Sequence, residues 1–231
     1  RSDYLPNTRY MRFYDIKKKR DPIKVFTKEH IKDILLYDKW HYQRYPLELI
    51  TLLGLNCGFL SVDIGSLRRS HIITHSNGYP KSISKVRTKT GVEGFWLLMT
   101  STAKLLHRYL KDHPEIGADE LLFKTKGGKP INRSNAKSYV DCLGQTFATR
   151  MRRLNITERS FKHLRKTGST FIAEYTKGAN PTLESMYLAH TLPQMSRQYY
   201  SLLDPKLLDK AIIAMEEHFG IMEYFKDIKQ A

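Results

Sequence analysis

The most informative part of this chain is the stretch Ser160-Phe161-Lys162-His163-Leu164-Arg165-Lys166-Thr167-Gly168. It joins the end of one predicted helix to the start of the next. Across this junction, Glu158 is the one acidic residue, and it stands among seven basic residues: Arg150, Arg152, Arg153, Arg159, Lys162, Arg165 and Lys166. Because this charge is concentrated at a helix junction and not spread along one solvated helix, we predict that the junction binds phosphate groups.

Composition supports a partner that is a polyanion. The 231 residues include 39 Lys and Arg against 23 Asp and Glu, which gives a net charge of +16, and 41% of the residues are hydrophobic. Such a chain can bury a core, so a wholly disordered basic tail is excluded. No apolar run approaches the roughly 20 residues of a membrane span. Cys57 and Cys142 fit no zinc or redox spacing and are predicted to be buried thiols in a reducing compartment.

Hydrophobic periodicity predicts a mostly α fold with a small antiparallel β-sheet, an α+β class. A hairpin is indicated by Asn77-Gly78 and by the alternation over residues 83–88, with a returning strand at 94–98. Helices are expected from Thr27, at about 46–55, 101–111, 132–154, 161–175 and 182–189, and from Asp204 onward. Residues 1–25 are predicted to be a basic arm or interdomain linker, and residues 26–231 one domain. The abrupt start at Arg1-Ser2-Asp3 suggests that the chain is part of a longer protein.

Two further motifs follow the central stretch, Tyr187-Leu188-Ala189-His190 and Arg197-Gln198-Tyr199-Tyr200-Ser201. The set resembles the tyrosine recombinase and phage integrase family. That family's signature is His/Lys-x-x-Arg, then a Leu-Gly-His-like triplet, then a nucleophilic Tyr nine residues after that His. The turn Arg87-Thr88-Lys89-Thr90-Gly91 is similar to the family's lysine hairpin, and residues 53–67 are similar to its first box. The resemblance spans about residues 27–219 and implies the catalytic-domain fold of the family.

The resemblance also implies site residues. Tyr199 would attack the scissile phosphate, with Tyr200 as the alternative, and Arg165 and His190 would stabilise the charge on the phosphate. Lys89 would protonate the leaving 5′ oxygen, and Lys162 stands where the family has His or Lys. Either Lys162 or His190 would assist the tyrosine. The product would be a 3′-phosphotyrosine, with no cofactor and no metal. The expected DNA contacts are Arg68, Arg69, Arg87, Arg150, Arg152, Arg153 and Lys166.

One departure from the family concerns its first catalytic Arg. If Asp63, Ile64 and Leu67 are laid on the first box, Leu60 takes the place of that Arg, and an alternative register puts Asn56 there. Neither register supplies a guanidinium. Arg68 and Arg69 follow shortly after and are the candidates to replace it.

The predicted function is site-specific recombination or integration of DNA, as expected for a mobile genetic element. The implied partners are double-stranded DNA and further copies of the chain, as a tetramer on paired sites, without a membrane, in the cytoplasm or nucleoid. The alternatives are an inactive DNA-binding protein of the same fold, a type IB topoisomerase-like enzyme, and a basic helical module with accidental motifs. His71 and His75 could suggest a metal pair, but the sequence supplies no evident third ligand.

Overall fold

The structure of the protein is a computed structural model, which describes residues 24–37, 46–87, 90–125, 127–134, 139–190 and 206–226. The predicted class is confirmed, since about 53% of the chain is helical and a small three-stranded antiparallel sheet is present. The helices are α1 (Lys28–Leu35), α2 (Leu47–Asn56), α3 (Ser61–Gly65), α4 (Thr100–Asp112), α5 (Cys142–Arg153), α6 (Lys162–Tyr175), α7 (Pro181–Tyr187), α8 (Lys206–Phe219) and α9 (Ile221–Tyr224). The strands are β1 (Ile72–Thr74), β2 (Pro80–Val86), β3 (Glu93–Leu97), β4 (Asn132–Ser134) and β5 (Tyr139–Asp141).

The three-stranded sheet has the order β1-β2-β3 and is antiparallel throughout. Ile83 of β2 pairs with Trp96 of β3, and both are buried against the helices. Trp96 packs edge to face on Phe59, with 5.0 Å between the ring centroids. Side chains alternate between the faces of a strand, so Lys85 and Arg87 follow Ile83 toward the helical layer, whereas Val86 is exposed. This alternation brings two basic side chains of the hairpin to the buried side.

The prediction of one helix over residues 132–154 is wrong in its first part. Its first part is a two-stranded hairpin in which Asn132 pairs with Asp141, and α5 begins only at Cys142. The reason is local, because the Asp141 carboxylate accepts a hydrogen bond from the Gly144 amide (2.7 Å) and caps the helix there. The apolar face that prompted the prediction is real and includes Leu143, Phe147 and Met151, all buried.

Helix α8 packs on the core of its own chain. Its Leu208, Ala211, Ile212 and Met215 are buried. Glu216, which is 2% exposed, accepts hydrogen bonds from the amides of Thr100 (2.8 Å) and Ser101 (2.7 Å). A carboxylate from α8 therefore satisfies the first amides of α4, which has no side-chain cap of its own.

The basic arm predicted over residues 1–25 lies outside the described residues except at its end. There Lys24 forms an ion pair with Glu158 (3.0 Å), and the Val25 carbonyl accepts a hydrogen bond from Arg159 (2.7 Å). Cys57 is buried and unbonded to other cysteines, and its burial raises the pKa of its thiol. Among the described helices, none is long and apolar enough to cross a membrane.

Candidate active site

Arg165 lies one turn into α6, the helix that begins at the basic junction, and only 9% of it is exposed. Its guanidinium donates to the carbonyl oxygens of Gly58 (2.7 Å) and Leu188 (2.8 Å). Burial, and next the neighbouring Arg87, lower the pKa of Arg165 to about 10, so that it is still charged at neutral pH. No carboxylate of the described residues forms an ion pair with it. The site therefore holds a buried cation whose partners are neutral carbonyl groups.

The segment 187–190 is held against this arginine by its own anchors. Tyr187 is fully buried, and its hydroxyl donates to the Leu55 carbonyl (2.6 Å). Its carbonyl accepts from the indole of Trp96 (2.9 Å), which ties the segment to β3. A side chain at Gly168 would overlap the Tyr187 hydroxyl, so glycine is required where α6 passes this ring. These contacts fix the Leu188 carbonyl in front of Arg165.

His190 is the last described residue of this segment before residue 206, and it is exposed. Its Nε2 lies 3.1 Å from Nη2 of Arg165. A guanidinium has no acceptor, so in this contact Nε2 accepts and the imidazole proton is on Nδ1. Ala189, just before it, has a φ of +42°, a left-handed conformation at the position where the resembled family has glycine. The structure thus brings together Arg165 and His190, the two predicted phosphate ligands.

A second arginine enters the same site from the end of β2. Arg87 is 4% exposed, and its Nη1 donates to the Leu188 carbonyl (3.0 Å), the acceptor that Arg165 also uses. Its Nη2 lies 3.5 Å from the carboxylate of Asp63, which is 1% exposed. Its Nε is buried and has no hydrogen-bond acceptor among the described residues. Thr90, in the same turn, donates to the Ala189 carbonyl (3.0 Å).

Lys85 adds a third buried cation on the same face of β2 and is 5% exposed. Burial lowers the pKa of its ammonium group; Asp63 opposes this shift, whereas Arg68 and Arg87 add to it. One carboxylate thus serves a region with three buried positive side chains. Lys85 was not among the predicted site residues, although the period-two pattern over residues 83–88 places it on the same face as Arg87.

The two alignments of the first box place different residues, Asn56 and Leu60, at the position of the missing arginine, and these residues lie in different surroundings. Asn56 is fully buried and structural, since its amide donates to the Leu97 carbonyl (2.8 Å) and accepts from the Met99 amide (2.7 Å). Leu60 precedes α3, and its amide donates to Asp63 (2.9 Å), the carboxylate that faces Arg87. The register through Leu60 therefore borders the site. Neither position supplies a cation.

Arg68 and Arg69, the expected replacements, are directed to a different loop. Arg68 donates to the Asp119 carbonyl, and Arg69 donates to the Ile116 carbonyl (2.8 Å). Neither forms a hydrogen bond with the residues around Arg165. His71 accepts from the Arg68 amide (3.0 Å), and no cluster of three metal-ligating side chains occurs in the described part of the chain.

Arg150 was predicted to contact DNA, but it is buried inside the protein in an ion pair. It is 4% exposed, and both terminal nitrogens lie 3.1 Å from Glu48, while Nη1 also donates to the Ile34 carbonyl (3.0 Å). This arginine fastens α5 to α1 and α2. The other predicted DNA contacts at the junction, Arg152, Arg153 and Lys166, are exposed, and so is Lys162, which was predicted as a catalytic residue. Lys162 starts α6, one turn before Arg165.

Three predicted residues lie outside the described residues: Lys89, Tyr199 and the alternative nucleophile Tyr200. Their roles stay predictions. In the sequence, Lys89 falls between Arg87 and Thr90, which both contact the segment 187–190, and Tyr199 follows His190 by nine residues.

Comparison with known proteins identifies a fold. No protein-family model and no curated protein matches the sequence. Among solved structures, the chain is similar to the integrase of transposon Tn1549, which was solved in complex with transposon right-end DNA. The TM-score is 0.55 at 14% identity, over 89% of this chain and 69% of the integrase chain. The protein has an integrase-like fold.

Proposed function

We propose that this protein is a DNA strand transferase of the tyrosine recombinase type. The observation that carries the proposal is the buried Arg165, held by carbonyl groups and in contact with the exposed His190. A buried cation without a carboxylate partner is costly unless an anion completes it. The integrase with the similar fold was solved with DNA, which supports a DNA phosphate as that anion.

The reaction follows from the chemistry of these groups. The Tyr199 oxygen attacks the scissile phosphorus, and its proton passes to a neutral base, either the amine form of Lys162 or the imidazole of His190. Negative charge that develops on the non-bridging oxygens is stabilised by Arg165 and, after rotation away from the arginine, by a hydrogen bond from His190. The bond from phosphorus to the 5′ oxygen breaks, and Lys89 protonates that oxygen. The products are a 3′-phosphotyrosine and a free 5′ hydroxyl, and reversal with a second 5′ hydroxyl rejoins the strands.

A covalent-trapping assay tests this function. The substrate is a pool of duplex oligonucleotides with randomised sequence and one nick, so that the short strand released by cleavage diffuses away. After quenching in denaturant, we expect DNA linked to the wild-type protein and to Tyr200→Phe, and none linked to Tyr199→Phe. The adduct should form equally in the presence of EDTA. Recovered DNA without a shared sequence would indicate a topoisomerase-like enzyme.

The rival is a DNA-binding protein of this fold that does not cut, which the uncharged Leu60 in the first box favours. It predicts that the pool is bound with sequence preference, but that no adduct forms even with the wild-type protein. We propose in addition that the active form is a homotetramer on two paired sites. Light scattering of the protein with the recovered DNA tests that assembly.

A further inference from the structure

We propose that Arg87 supplies the second guanidinium of the phosphate site, from the hairpin, in place of the arginine that is absent from the first box. The inference rests on the proposed function and adds a catalytic residue to it. In this proposal Arg87 contacts a non-bridging oxygen of the scissile phosphate beside Arg165, and Asp63 is the positioning residue for Arg87.

The guanidinium groups of Arg87 and Arg165 converge on one point of the site. Arg87 and Arg165 donate to one acceptor, the Leu188 carbonyl, at 3.0 and 2.8 Å. Two donor nitrogens that share one oxygen lie no more than about 6 Å apart. Like charges held this close in a buried place repel each other, and an anion between them removes the repulsion. A phosphodiester has two non-bridging oxygens, so two adjacent guanidinium groups match it.

The hydrogen-bond donors of Arg87 are not all paired. The Nε of Arg87 is buried with no acceptor in the described part of the chain, although most buried donors in folded proteins are paired. Its one carboxylate, Asp63, is at 3.5 Å, and that carboxylate is also engaged by the Leu60 amide. Arg87 therefore has unused hydrogen-bonding capacity in the site, which a bound phosphate oxygen would use.

The partners of Arg87 differ from those of a purely structural arginine. Arg150 has the same exposure, 4%, but its two terminal nitrogens meet Glu48 at 3.1 Å and its charge is fully matched. Arg68 and Arg69, which are nearer to the first box in sequence, bind carbonyls of another loop. Of the arginines in the described residues, Arg87 is the one that shares an acceptor with Arg165.

The test compares Arg87→Met with Arg150→Met, the same substitution at the same burial. Inorganic sulfate is the probe, and thermal unfolding is followed with 100 mM sodium sulfate and with sodium chloride of equal ionic strength. Sulfate stabilises proteins in general, so the general effect is common to all variants. We expect the wild-type protein and Arg150→Met to gain at least about 2 °C more than Arg87→Met, because ligand binding adds to stability. Equal gains in all three proteins would overturn the proposal.

The same three proteins are then compared in the trapping assay. We expect the rate of adduct formation to fall at least about a hundredfold in Arg87→Met and to change less than about threefold per folded molecule in Arg150→Met. A rate for Arg87→Met within threefold of wild type would contradict a catalytic role. If the wild-type protein forms no adduct, the proposed function fails, and the sulfate measurement still decides whether Arg87 binds an anion.

Discussion

Two buried arginine sites in this molecule have opposite charge balance. On one side, Arg150 meets Glu48 and the Ile34 carbonyl, and its positive charge is matched. On the other side, Arg87 and Arg165 share one carbonyl, and Asp63 forms an ion pair with Arg87 but not with Arg165. Burial alone therefore does not separate structural from functional arginines. The number of buried cations for each carboxylate does: Glu48 is paired with Arg150, whereas Asp63 stands beside Arg87, Arg165 and Lys85.

The matched side should dominate stability. We expect Arg150→Met to lower the free energy of unfolding by about 3 kcal/mol, because it leaves Glu48 and a buried carbonyl without their donor. Urea denaturation measures this. The partly exposed Glu48 keeps the loss at the lower end of the range for buried pairs. A loss below about 1 kcal/mol would show that the ion pair is dispensable and would weaken the contrast.

The next largest loss of stability is expected at Glu216, a buried carboxylate whose partners are backbone amides. Glu216→Ala removes the acceptors of the Thr100 and Ser101 amides, of which Ser101 is buried, and we expect a loss of about 2 kcal/mol. Glu217→Ala is the control, since Glu217 is the exposed neighbour on α8. Equal losses in the two variants would indicate a general effect of charge on α8 and not the capping of α4.

Removing a charge from the region with surplus buried cations should raise the free energy of unfolding. Lys85→Met is expected to raise the free energy of unfolding by about 1 kcal/mol at pH 7, because a buried cation with too few anions is removed. Burial lowers the pKa of Lys85, so the unfolded chain binds its proton more tightly than the native protein does. Native stability therefore rises with pH up to about the ordinary value of 10.5. The advantage of Lys85→Met should shrink over that interval.

Lys81→Met controls for the loss of a lysine from β2, because Lys81 is exposed on the same strand. It should leave the free energy of unfolding within about 0.5 kcal/mol of the wild-type value at each pH. A stabilisation equal to that of Lys85→Met would mean that the net charge of the protein, and not the buried site, is responsible.

The smallest effect concerns Ala189. Its φ of +42° strains an L residue, and glycine relieves this strain but loses backbone entropy and a buried methyl group. We expect Ala189→Gly to change the free energy of unfolding by less than about 1 kcal/mol in thermal denaturation. A larger loss would mean that the methyl group itself holds the segment in front of Arg165.

The sequence predicts the fold well where periodicity and capping agree, as at Thr27, whose side chain caps α1 in a reciprocal pair with His30. It fails over residues 132–141, because a helical apolar face continues into a hairpin that Asp141 ends. In the site, the motif spacing predicts that Arg165 and His190 meet. It does not predict that Arg150 is matched by Glu48, 102 residues away, since such long-range pairs are set by packing. The sharing of Leu188 by Arg87 and Arg165 is missed for the same reason.

The most direct test of this account is the initial rate of covalent adduct formation for wild type, Arg165→Met and Arg150→Met on the recovered DNA, with the folded fraction measured alongside. The account predicts a fall of at least about a hundredfold for Arg165→Met with a smaller loss of stability than in Arg150→Met. It predicts that Arg150→Met, although less stable, reacts per folded molecule within about threefold of wild type. Equal rates for Arg165→Met and wild type would contradict it.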